Sequence, residues 1–342
     1  MKLYKNNILP VFPILFLVIV FIVCFNAGCK TRGKDSKDAA GARDPVTIGF
    51  AAILAAPVII AHEKGYFFDE GLDVTMREYS AGKLALDGMF AGEVDLATVA
   101  ETPVVFNSFK RDDFFILAMI SSNADDLKIV VRKDRGIRKA SDLKGRKIGT
   151  TFGTAAQFYL DSYLNISGLA KDDVTVINRT VSNLPADLQK GTVDAIATIE
   201  PYAYEARQLL GDNAMRLPKV DIYGIMYNLV TTKQFSKKHP ETVKKVLKAI
   251  DKAVTFIQQN KKESLMITAL KLKVDEKFLN AVWDDYIFGL SLDQSLLIAM
   301  EDQARWAIKN KLTDKTLVPN YLDYIYMGGL AAVKPEAVRI MR

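Results

Sequence analysis

From residue 44 onward the chain alternates short apolar runs with stretches in which apolar positions recur every three or four residues. Val46–Phe50 (VTIGF) reads as a strand. Ala55, Ala56 and Pro57 follow, with Pro57 placed for the first turn of a helix that stops near Gly65. Val74–Tyr79 reads as a second strand, Lys83–Ala91 as a helix ended by Gly92, and Val94–Val99 as a third strand. This β-α-β-α-β order predicts a mostly parallel sheet flanked by helices.

The same order recurs roughly one hundred residues later. Lys147–Thr150 (KIGT) aligns with Thr47–Phe50 (TIGF), and Ala155-Ala156 aligns with Ala55-Ala56. Val174-Thr175 matches Val74-Thr75, and Gly191–Asp194 (GTVD) mirrors Gly92–Asp95 (GEVD). A glutamate stands nine residues after each of those glycines, Glu101 and Glu200, and Pro103 and Pro201 follow closely. One such match is chance; a series in constant order predicts two similar α/β lobes. Ligands of such sheets bind outside the carboxyl ends of the strands, so two facing lobes would share one cleft.

Lys128–Arg132 (KIVVR) and Tyr227–Thr232 (YNLVTT) are extended segments that would make a two-strand hinge. Beyond them Glu241–Gln259 carries Val243, Val246, Leu247, Ile250, Val254 and Ile257 at helical spacing. Phe278–Leu290 and Gln294–Lys309 read as further amphipathic helical segments. The expected fold class is therefore α/β with two lobes. Residues 46–129 together with 229–342 form the first lobe, and 130–228 the second.

The N-terminus follows another pattern. Met1–Lys5 is basic, and Ile14–Phe25 is an apolar core too short for a spanning helix. Ala27, Gly28 and Cys29 then resemble a bacterial lipoprotein signal, although Asn26 stands where an apolar residue is usual. The expectation is a signal peptide over 1–28, lipid on Cys29, and a flexible tether over 29–45. The product would be exported and lipid-anchored to a bacterial membrane, periplasmic or at the cell surface.

Composition narrows the function classes. The 46 basic and 40 acidic residues are dispersed, with no clustered basic face, which argues against nucleic-acid binding. The only cysteines are Cys24 and Cys29, and the only histidines are His62 and His239. No cysteine nucleophile or multi-histidine metal site is available in the body, and no cofactor motif is present.

Ala61–Phe67 (AHEKGYF), Glu70-Gly71-Leu72, Gly92–Asp95, Asp142–Gly145 (DLKG), Ile148-Gly149, Gly153-Thr154, Val193–Ala195 and Glu200-Pro201 together carry a family resemblance over residues 46–259. The body resembles the bacterial periplasmic solute-binding proteins of the nitrate, sulfonate, taurine and thiamine-pyrimidine-precursor group, which have the type II periplasmic-binding-protein fold. The resemblance implies a monomer that delivers a small molecule to an ABC permease and its ATPase. It also implies that the loop holding the ligand's acidic group falls on Thr151, Gly153, Thr154 and Ala155. One branch of that superfamily is a biosynthetic enzyme with a cysteine-rich motif, which this body lacks.

The residues themselves suggest the same loop, because free N–H groups and the helix dipole after Thr151–Thr154 make an anion site. Thr154 and Gln157 also fit a capping box. The equivalent loop of the first lobe offers Phe50, Ala51 and Leu54, with backbone groups as its only polar atoms. Glu101 and Glu200, with Thr102, follow the third strands and would either face an amine or aminopyrimidine group or start the next helix. Ser80, Ser121, Asn123 and Asn183 are short polar residues at strand ends. Phe50, Phe152, Tyr202 and Tyr227 could stack a flat ring. Three readings follow: an importer's solute-binding lipoprotein for a sulfonate-like, taurine-like or aminopyrimidine solute, a ligand-sensing surface protein, or a pyrimidine-precursor enzyme.

Overall fold

The computed structural model describes residues 43–341. The signal peptide, Cys29 and nearly all of the tether lie outside the described residues. Within them, no helix is long and apolar enough to cross a membrane.

The strands are β1 Asp44–Phe50, β2 Leu72–Glu78, β3 Leu96–Ala100, β4 Phe114–Asn123, β5 Leu127–Arg132, β6 Lys147–Thr150, β7 Thr175–Asn178, β8 Ala195–Ile199, β9 Ala214–Arg216, β10 Ile225–Thr232, β11 Tyr286–Asp293 and β12 Val338–Arg339. The helices are α1 Ala56–Glu63, α2 Tyr66–Asp69, α3 Gly82–Phe90, α4 Glu101–Ser108, α5 Ala155–Ile166, α6 Leu184–Lys190 and α7 Tyr202–Leu210, then α8 Lys233–Lys238, α9 Pro240–Gln259, α10 Lys261–Leu272, α11 Glu276–Val282, α12 Gln294–Lys309 and α13 Met327–Ala331. Two sheets result, ordered β12-β11-β4-β10-β3-β1-β2 and β7-β6-β8-β5-β9.

Each sheet is mixed. The β-α-β units pair in parallel, β1 with β2 and β3 in one sheet and β6 with β7 and β8 in the other. β10 and β4 in the larger sheet, and β5 and β9 in the smaller, add antiparallel pairs. β5 pairs only within the smaller sheet and β10 only within the larger. The chain therefore passes between lobes just before each of these strands, at 124–126 and 217–224.

The inner parallel strands β3 and β8 are buried on both faces, which is why they read as continuous apolar runs, whereas the edge strands β2 and β7 are largely exposed. On α9, Val243, Val246, Leu247, Ile250, Val254 and Ile257 are all buried, as their spacing predicts. The helix expected over Phe278–Leu290 is corrected: α11 ends at Val282 and β11 begins at Tyr286. Tyr286, Phe288, Leu290 and Leu292 are buried while Ile287 is exposed, an alternation that suits a strand beside β4. The short polar break Asp284-Asp285 separates the two periodicities.

Ile250 is fully buried in this core. Ile250→Ala is expected to lower unfolding free energy by about 2–5 kcal/mol, read by urea denaturation; a loss under about 1 kcal/mol would contradict this packing.

Candidate functional site

A cavity of about 50 Å³ lies between the two sheets, where their strands end. From the larger sheet's side it is lined by Leu54, by Ala81, Gly82 and Lys83 at the start of α3, by Ala100 and Pro103, and by Ile225 and Tyr227. From the smaller sheet's side come Thr151, Thr154, Ala155 and Ala156 around the start of α5, with Val181, Thr198 and Ile199.

Two helix starts thus meet at one space. Neither Ala81 nor Thr154 caps its helix with a side chain. In α3 the first N–H groups to find an acceptor are those of Leu84 and Ala85, both on Ala81 O. In α5 the first is that of Gln157, on Thr154 O. Among the described residues, the N–H groups of Gly82, Lys83, Ala155 and Ala156 have no acceptor. Such groups, reinforced by the helix dipoles, favour a negative charge in front of them.

The sequence reaches this geometry through small residues. A Cβ on Gly82 would lie 2.6 Å from Tyr227 Oη and 3.0 Å from Thr98 O, so only glycine lets α3 start this close to β3 and β10. The expected capping box at Thr154 is corrected. Thr154 Oγ1 donates to Thr151 O at 2.6 Å, and Gln157 Oε1 accepts from Gly153 N at 2.7 Å. Both side chains shape the turn and leave the Ala155 and Ala156 donors free.

The rest of the lining is almost wholly apolar. Tyr227 Oη is committed to Ala51 O at 2.9 Å. Lys83 Nζ pairs with Asp87 Oδ2 at 2.8 Å. No carboxylate side chain lines the cavity.

Of the expected site residues, Leu54, Thr151, Thr154, Ala155 and Tyr227 line this cavity. The others lie outside it. Phe50 is core, and Ala51 is fully buried with its carbonyl taken by Tyr227. Ser121 Oγ donates to Leu54 O, and Asn123 Oδ1 accepts from Asp125 N. Ser80 offers its carbonyl to Tyr202 Oη, and Gly153 N is held by Gln157. Thr102 is fully buried, Asn183 is exposed on the turn before α6, and Phe152 is exposed beside the mouth.

The two glutamates do not face the cavity either. Glu101 is fully buried at the start of α4 and accepts from Tyr223 Oη, Met226 N at 3.1 Å and Gln303 Nε2 at 2.9 Å. It thereby ties α4 and α12 to the segment that enters β10. Glu200, 1% exposed, accepts Tyr204 N at 2.8 Å and pairs with Arg207 at 3.1 Å. It caps α7. The other crossing holds Asp126, which accepts from Tyr286 Oη at 2.5 Å, beside the cluster of Asp125 with Lys128 and Arg216.

Sequence reasoning missed Ala81, Gly82 and Lys83. The signal was present, since Ser80-Ala81-Gly82 stands after β2 and before a helix, a small-residue turn of the kind recognised after β6. Ala100, Ala156, Val181, Ile199 and Ile225 are apolar wall residues without a chemical signature.

The sequence profile of the NMT1/THI5-like family matches residues 54–264. The chain belongs to the NMT1/THI5-like family. A Bacillus subtilis (strain 168) relative named for aliphatic-sulfonate binding is 27% identical over 307 residues, 88% of this chain and 91% of its own length. The pyrimidine phosphate synthase THI13 of Saccharomyces cerevisiae is 26% identical over 219 residues, 59% of this chain and 62% of that protein. Among solved structures, the alkanesulfonate-binding protein SsuA of Xanthomonas axonopodis pv. citri bound to MOPS superposes with a TM-score of 0.72 at 19% identity, covering 83% of this chain and 98% of that one. The periplasmic aliphatic-sulphonate-binding SsuA of Escherichia coli gives 0.69 at 19% identity, over 83% and 92%. The fold is therefore that of the two-lobed periplasmic binding proteins.

Burial raises the Glu101 carboxyl to about 7 from an ordinary 4.5, and the Asp126 carboxyl to about 7 from 3.8. Folding therefore takes up protons at these groups. The stability they contribute is fully present below the ordinary carboxylate pKa and is lost as pH rises through about 7. The melting temperature should fall between pH 5 and 8.5 in calorimetry, and Glu101→Gln should make that fall shallower. An equal slope in the variant would show that Glu101 titrates normally.

Proposed function

We propose that this chain is the solute-binding component of an ABC importer, taking a short aliphatic sulfonate into the cleft between its lobes. The observation that carries this is the pair of helix starts that line one small apolar space, with the N–H groups of Gly82, Lys83, Ala155 and Ala156 left without an acceptor. A sulfonate is a compact singly charged head with three acceptor oxygens, and it matches several converging donors. Its alkyl tail suits a wall of Leu54, Ala100, Pro103, Val181, Ile199 and Ile225. The free space corresponds to about four water-sized groups, which favours one or two carbons.

The placement of the glutamates supports a plain sulfonate over the other solutes considered above. An ammonium or aminopyrimidine group would need an acceptor in the cavity, and both candidate carboxylates are spent inside the protein. A plain alkanesulfonate leaves no buried charge unpaired, whereas taurine brings an ammonium without a partner. The names of the Bacillus and SsuA relatives support the same class. The yeast synthases keep an enzyme reading in view, but residues 30–342 contain no cysteine to serve the motif expected of that branch.

The mechanism is closure about the crossings at 124–126 and 217–224. Contacts to α3 from one lobe and α5 from the other exist together only when the lobes meet, so ligand favours the closed form. A membrane permease with its ATPase would receive that form. Export, a lipid on Cys29, a tether ending where β1 begins at Asp44, and a monomeric protein complete the proposal.

Calorimetry with methanesulfonate, ethanesulfonate, hexanesulfonate, taurine, nitrate and the aminopyrimidine precursor tests it. Methanesulfonate or ethanesulfonate should bind tightest, with taurine at least about tenfold weaker, a difference of about 1.4 kcal/mol. Gly82→Ala, which pushes the start of α3 away, should weaken ethanesulfonate binding by at least about tenfold. Preference for the aminopyrimidine, or indifference to Gly82→Ala, would overturn the reading.

A further inference from the structure

We propose that two direct hydrogen bonds between the lobes, neither of which touches the solute, set how long the cleft stays shut. The first joins Tyr202 to Ser80. Tyr202 opens α7, after the last parallel strand of the smaller sheet, and its hydroxyl donates to the carbonyl of Ser80 at 2.9 Å. Ser80 belongs to the turn between β2 and α3 of the larger sheet. The next residue, Ala81, packs against the smaller lobe's own apolar cluster, which includes Val181.

The second bond joins Trp306 to Asp161. Trp306 lies on α12, and its Nε1–H donates to Asp161 Oδ2 on α5 at 3.1 Å. Its indole also meets Phe158 of α5 edge-on, with ring centres 5.2 Å apart, and Phe106 of α4 at 5.9 Å. An aromatic bridge therefore runs from α4 and α12 of one lobe to α5 of the other.

Each fastening holds one of the two helices whose starts form the cavity. Ser80 stands two residues before α3, and Asp161 lies within α5. Opening the cleft would return both donors and both acceptors to water. The net stabilisation from each bond then belongs to the closed form alone, and apparent affinity scales with the population of that form. Removing one bond should cost about 3- to 10-fold in affinity, expressed in the dissociation rate.

The experiment has two arms. Stopped-flow kinetics with ethanesulfonate on wild type, Tyr202→Phe and Asp161→Ala rests on the sulfonate reading above. Small-angle scattering of the protein without solute does not. Each variant should dissociate ethanesulfonate about 3- to 10-fold faster with association within about twofold. The double variant without solute should show a larger radius of gyration than wild type. Unchanged dissociation rates together with an unchanged radius would overturn the latch. If wild type binds no alkanesulfonate, the ligand reading fails, and the radius of the double variant then decides the latch by itself. Tyr202→Phe removes one hydroxyl from a half-buried side chain, so its folding is not in question.

Discussion

The unpaired N–H groups at the first turn of an α-helix are the constraint from which the rest of this site follows. A β-α-β unit places them at the carboxyl end of its sheet. Here α3 follows β2 and α5 follows β6, and the two lobes bring both helix starts to one cavity. The requirement that these donors stay free explains the small residues Ala81, Gly82, Ala155 and Ala156. It also explains why Thr154 and Gln157 bond within their own turn. A side-chain cap on either helix would use up one of these free donors.

Charge within the protein is arranged to the same end. The buried carboxylates Glu101, Asp126 and Glu200 sit where the chain crosses or leaves the sheets, each held by tyrosine hydroxyls, backbone N–H groups or an arginine. They fix the segments that join the two lobes and leave the cavity without negative side chains. Burial without a strong counter-charge keeps Glu101 and Asp126 partly protonated near neutrality. An anionic solute would meet no carboxylate in this wall, and an amine would meet no counter-charge.

Much of the fold was legible in the chain, because strand and helix periods, glycine stops and an internal repeat reinforce one another. The first three strands, α1, α3, α9 and α12 fall within a few residues of their expected bounds. Phe278–Leu290 misled because alternating aromatic residues after a short helix mimic a continued amphipathic pattern when the neighbouring β4 is unknown. The site was half legible. The α5 turn declared itself by Thr151 to Ala155, whereas α3 did not, because Ala81 and Gly82 contribute only backbone. Glu101 and Glu200 stay open in the sequence between a ligand role and a helix-start role because strand-end position fixes where a residue begins and not where its side chain points. Tyr223, Gln303 and Met226, more than one hundred residues from Glu101 in sequence, decide its direction.

A crystal structure of the protein with ethanesulfonate tests the central claim most directly. The sulfonate oxygens should lie within about 3.2 Å of the N–H groups of Gly82 or Lys83 on one side and Ala155 or Ala156 on the other, with the alkyl carbons toward Val181 and Ile225. A sulfonate held instead by a lysine or arginine side chain, or bound outside the space between α3 and α5, would contradict it.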